Sequence, residues 1–143
     1  MATERYFVCP TCGDKPWTGK LIDIFREWTE KKSAPICQAC AVPYELRLNF
    51  PFSFGADGRM RVLNVFAPRT PCEWEEAGGK KVSFHPFLVI GETVAANVPE
   101  QTAWLPYWHI HDGRPKFGQW APNMDLKYFA ELVDQAREHN YLV

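Results

Sequence analysis

The sequence predicts a small α+β protein: a zinc-ribbon-like four-cysteine module joined to a small antiparallel sheet that a C-terminal helix packs. Three observations lead there. Four cysteines fall in two CxxC pairs, residues 44–66 alternate apolar with polar side chains around a glycine-containing turn, and apolar residues recur at helical spacing between Leu126 and Ala136. A chain of 143 residues has room for one core, or one core and a small metal-held module. The expected division is 1–42 for the four-cysteine module with an inserted helix and 43–143 for the sheet, an aromatic-rich irregular segment and the last helix. The alternative is that both form one compact unit.

Tyr6-Phe7-Val8 reads as a short strand leading into Cys9-Pro10-Thr11-Cys12-Gly13. Leu21, Ile24, Phe25 and Trp28 then stand at i, i+3, i+4 and i+7, the stripe of a helix with Asp23, Arg26, Glu27, Glu30 and Lys31 on its wet side. Thr18 or Gly19 is the expected cap, and Ser33-Ala34-Pro35 the stop. After Cys37-Gln38-Ala39-Cys40 the period changes to two. Tyr44, Leu46, Leu48, Phe50, Phe52 and Phe54 make one face of a strand; Glu45, Arg47, Asn49, Pro51 and Ser53 make the other. Pro51 cannot donate to a ladder, so it belongs at an edge or a bend. Gly55 to Gly58 turns the chain and Arg59 to Phe66 returns, a predicted antiparallel hairpin.

A second hairpin is expected where Glu73-Trp74-Glu75-Glu76 and Lys80-Lys81-Val82-Ser83-Phe84 flank Ala77-Gly78-Gly79, setting opposite charges across from each other. Phe87 to Ile90 reads as a strand that Gly91 stops. Prolines 99, 106, 115 and 122, interleaved with Trp104, Tyr107, Trp108, Phe117 and Trp120, make residues 98–122 read as irregular chain packed on the sheet. Asn123 or Asp125 then caps a helix whose inner positions are Leu126, Phe129, Leu132, Val133 and Ala136. Asn140 is its expected end, and Tyr141-Leu142-Val143 are expected to tuck back against the core.

Charge excludes the strongly basic classes. Lys and Arg number 16 against 17 Asp and Glu, with +3 on residues 1–72 and −4 on the remainder. Aromatics at 15% and apolar residues at 46% exclude a disordered chain. No run of 18 apolar residues exists to form a transmembrane helix, and no signal-peptide core precedes Cys9, so the expected compartment is the cytoplasm.

In that compartment thiols stay reduced, and paired CxxC motifs point to metal. Cys9, Cys12, Cys37 and Cys40 have the form C-x2-C-x24-C-x2-C. Two intervening residues let both sulfurs of a pair converge on one ion, and two such turns complete a tetrahedron of soft ligands. Each pair, over about eight residues, resembles a zinc-ribbon or rubredoxin-like knuckle. That resemblance implies one structural zinc ion, with iron also admitted by the spacing. Four thiolates leave no vacant position for water, so the metal staples and does not catalyse. Pro43 argues against a helix opening at Cys40. Cys72 is left over, and a buried or half-buried structural thiol is its expected role.

A second candidate site lies around His109, His111 and Asp112. Both histidines point the same way in an extended strand, and His85 would supply a third nitrogen. Such a site would activate water for a metal-dependent hydrolase or nuclease, with Arg114 or Lys116 neutralising a phosphate. The preferred function is a zinc-stabilised interaction or adaptor module. Its partner is expected to be a protein first, or a nucleic acid held by Arg47, Arg59 and Arg61 with Trp104, Trp108 and Trp120 as a stacking platform.

Overall fold

The computed structural model describes residues 6–32, 35–47, 59–70, 72–94, 99–118 and 123–141. The expected positions Leu48 to Phe54, the turn at 55–58, Trp120, Leu142 and Val143 lie outside them. The elements are β1 (Phe7–Val8), α1 (Leu21–Lys31), β2 (Ile36–Cys37), β3 (Val42–Pro43), β4 (Glu45–Arg47), β5 (Arg59–Phe66), β6 (Cys72–Glu76), β7 (Lys80–Pro86), β8 (Leu88–Thr93), β9 (Gln101–Trp104), β10 (Tyr107–His111), β11 (Arg114–Phe117), β12 (Asn123–Asp125) and α2 (Leu126–Glu138). A mixed α+β fold results, with the four-cysteine cluster beside antiparallel sheets.

A six-stranded sheet runs in the order β1-β4-β5-β8-β9-β12, and a four-stranded sheet in the order β11-β10-β7-β6. The chain crosses between them at Phe87, on the way from β7 to β8, and returns at Leu105-Pro106, between β9 and β10. These two crossings are tied together: the Phe87 N–H donates to the Pro106 carbonyl at 2.9 Å, and both residues are buried. The second predicted hairpin forms with Glu75 opposite Lys81 and Glu76 opposite Lys80. β4 pairs with β5 as the alternation requires, placing Leu46 across from Met60.

Phe25 of α1 fills the centre of the core. Its ring lies 6.2 Å from Phe7, 5.5 Å from Phe87, 6.3 Å from Trp104 and 6.0 Å from Trp108, so one side chain reaches both sheets. Leu21, Ile22, Ile24, Phe25 and Trp28 are all buried, which is the predicted stripe with Ile22 added. A continuous cluster of buried side chains runs from Phe7 and Cys9 through α1 to Trp104 and Trp108.

Several expectations are corrected. Residues 101–117 are not irregular but supply β9, β10 and β11. Prolines mask them in the sequence, yet Pro106 stands at a crossing and Pro115 on the edge strand β11, where no ladder hydrogen bond is lost. Gly91 does not stop β8, which continues to Thr93; Met60 occupies the space that a side chain there would need. Lys20, and neither Thr18 nor Gly19, occupies the α1 N-cap, without a side-chain hydrogen bond. The last helix forms where expected and rests on β9 and β12. Its positions Leu126, Phe129, Val133 and Ala136 are half-buried and Leu132 is exposed, so α1 seals the core instead. Asn140 ends that helix in a left-handed conformation, φ 64°, and Tyr141 points outward, 83% exposed.

Candidate metal centre

Two turns of the same shape carry the four cysteines. In the first, the Gly13 N–H donates to the Cys9 carbonyl at 2.9 Å; in the second, the Ala41 N–H donates to the Cys37 carbonyl at 2.7 Å. The residue after each pair is left-handed, Gly13 with φ 76° and Ala41 with φ 55°. This is why no helix opens at Cys40: the chain reverses at Ala41 and returns through β3, pairing Val42 with Cys37 and Pro43 with Ile36. The first turn is fixed from outside by the Cys9 N–H, which donates to the Asp14 carbonyl at 2.8 Å.

The four sulfurs all lie within 4.8 Å of one another. Cys12 Sγ and Cys37 Sγ, from different turns, are 3.9 Å apart. A tetrahedron with metal–sulfur bonds of about 2.3 Å has edges of about 3.8 Å, so the donor set fits a single ion. Cys9 and Cys37 are buried, Cys40 is half-buried and Cys12 exposed, which places the cluster at the surface end of the core.

The turns also aim backbone N–H groups at the first sulfur of each pair. The Cys12 N–H points at Cys9 Sγ, 3.5 Å away. In the second turn the Cys40 N–H does the same for Cys37, lowering that thiol to about 7 against the cost of its burial; the Tyr44 hydroxyl adds a further hydrogen bond. Cys40 is pushed up to about 12, first by its hydrogen bond with Cys12 and then by burial. Tyr44 itself is raised, mainly by burial and then by its bond to Cys37. The alternation marks Tyr44 only as an apolar strand position. Its polar role has no sequence signal beyond its place four residues after Cys40.

The second candidate site does not assemble. His109 and His111 share a face of β10, with ring centres 6.1 Å apart. His85 pairs with Trp108, which stands beside His109 in the strand, and so lies on the opposite face. There its Nε2 is 2.8 Å from Ser83 Oγ, and it lines a groove with Arg26, Arg69 and Glu73. Asp112 occupies the β10–β11 turn, with φ 48°. Among the described residues only the four cysteines bring three or more metal-ligating groups together.

The expected nucleic-acid surface is also rearranged. Trp104 and Trp108 are 3% and 6% exposed, core residues with no face to offer a base. Arg47 and Arg59 stand opposite each other, but both engage the buried Glu45, at 3.1 and 3.9 Å. Arg61 pairs with Glu92 at 3.1 Å. Cys72 is exposed and not buried.

Fold and site together define a class: a small α+β protein carrying a four-thiol centre able to hold one metal ion. No family model, no curated protein and no solved structure matches the chain. Among the described residues, no helix is long and apolar enough to cross a membrane.

Proposed function

We propose that this protein is a zinc-stapled interaction module, in which the ion holds the front end of the fold and the surface does the binding. The observation that carries the reading is the mutual approach of Cys9, Cys12, Cys37 and Cys40 within 4.8 Å. Four thiolates satisfy a tetrahedral ion completely and leave no position for water or substrate. Among the described residues no strand ladder joins the two turns directly, since β1 pairs with β4 and the two-pair β2–β3 ladder closes the second turn on itself. Zinc suits such a staple, being redox-inert and indifferent to geometry beyond the tetrahedron, and a reducing compartment such as the cytoplasm keeps its ligands available.

The partner we favour is a protein. Tyr128 and Leu132, one turn apart on α2, are 53% and 55% exposed, and large apolar side chains of this kind are what a partner covers. Elemental analysis of the purified protein tests the module. One zinc per chain is expected, lost in Cys37→Ser together with cooperative unfolding of the front end. Absence of stoichiometric metal, with unchanged thermal unfolding of Cys37→Ser, would overturn it; stoichiometric iron would replace zinc in the same role.

A further inference from the structure

The outer face of the four-stranded sheet carries an aromatic and basic lattice that the sequence does not reveal. The register sets Lys116, His109, Phe84 and Cys72 in one row across the strands, and Arg114, His111, Val82 and Trp74 in the next. Tyr107 and Pro86 begin a third row, and Lys80 opposite Glu76 closes the far end. The rings are in contact. His109 lies 5.1 Å from Phe84, 5.8 Å from Tyr107 and 6.0 Å from Trp74. Trp74 is 41% exposed, and Phe84, Tyr107, His109 and His111 are half-exposed. By contrast, Trp108 and Phe117 on the other face turn toward the core.

Three cations border these rings, and Glu76 is the one carboxylate at the strand positions of this face among the described residues. Lys80, Arg114 and Lys116 are exposed, and none enters an ion pair among the described residues, unlike Arg47 and Arg61 on the larger sheet. Exposed rings on a sheet face with cations alongside match a strand whose bases are free to stack and whose phosphates need neutralising. A duplex hides its base faces, and a proline-rich peptide gains nothing from the cations.

We infer that this face binds single-stranded nucleic acid, with bases stacking on Trp74 and the neighbouring rings and phosphates meeting Arg114, Lys116 and Lys80. The inference rests on the reading of the protein as a binding module and gives a second surface, apart from the α2 face proposed for a protein, a partner class of its own. With few cations the affinity is modest and falls steeply with salt.

Fluorescence anisotropy of labelled oligo-dT and oligo-U, titrated with the metal-loaded full chain at about 50 and 200 mM salt, provides the test. Binding is expected at the lower salt. Trp74→Ala should weaken it about tenfold, in the range of one lost base stack. Arg114→Glu with Lys116→Glu should nearly abolish it. Unlabelled duplex, poly-glutamate and a proline-rich peptide should compete poorly. No binding at low salt, indifference to Trp74→Ala, or equal competition by poly-glutamate or by the peptide would overturn the inference. Zinc content and near-ultraviolet circular dichroism of each variant confirm that it is folded. Loss of binding by a metal-loaded, folded protein leaves the zinc module standing, whereas absence of metal strikes the module itself.

Discussion

Gly13 and Ala41 occupy the same place in the two cysteine turns, each left-handed and each donating its N–H to the carbonyl of the cysteine four residues before it. Only one of them is a residue suited to that conformation. A side chain in the left-handed region costs about 1–2 kcal/mol, which glycine avoids at some cost in chain entropy. Ala41→Gly should therefore stabilise the metal-loaded protein by about 0.5 kcal/mol, and Gly13→Ala should destabilise it by about 1 kcal/mol. Urea unfolding of the two variants measures both, and equal effects of the same sign would contradict the shared geometry.

Gly91 and Met60 are a second matched pair. A Cβ at Gly91 would run into the Met60 side chain, which is fully buried. Gly91→Ala is expected to cost about 1–3 kcal/mol by overpacking. Shortening the neighbour should return part of that loss, so Gly91→Ala with Met60→Val should be more stable than the two single effects added. A double-mutant cycle by denaturant unfolding reads the coupling.

Phe25 joins α1 to both sheets, and its removal should be felt by the whole molecule. Phe25→Ala is expected to cost about 3–5 kcal/mol, the range for a fully buried aromatic. Far- and near-ultraviolet signals should melt together at a lower temperature. Two separated transitions would show that the sheets fold independently of the helix.

His85 makes stability depend on pH. Burial, and then the nearby Arg26 guanidinium, lower it from its ordinary 6.5, while Glu73 opposes them. The folded protein thus holds this imidazole neutral where the unfolded chain would take a proton. Its contribution is complete above the ordinary value of 6.5 and is lost as pH falls through that value toward the lowered one. Below both, nothing further is lost. His85→Gln should flatten the decline of stability between about pH 7.5 and 5.5 relative to the wild type, in thermal melts across that range. An unchanged slope would contradict the assignment.

Much of this architecture can be read along the chain. The stripe Leu21, Ile24, Phe25 and Trp28 identifies α1, and the alternation around Leu46 and Met60 identifies a sheet face. The spacing of Cys9, Cys12, Cys37 and Cys40 identifies the donor set. Each is a local period, and a local period survives into the folded state because it decides which side chains leave water together.

The strands from Gln101 to Phe117 are not legible in the same way, because prolines and aromatics conceal their alternation. Their pairing depends on partners far along the chain: β10 needs β7 before Tyr107, His109 and His111 acquire a common face. The same register separates His85 from His109 and sends Trp108 inward while leaving Trp74 out. Sequence alone thus determined the four-cysteine cluster, the first helix and the presence of a sheet. Tertiary structure decided which helix seals the core, which rings face water and which histidines meet, since a strand has two faces and only its neighbours choose between them.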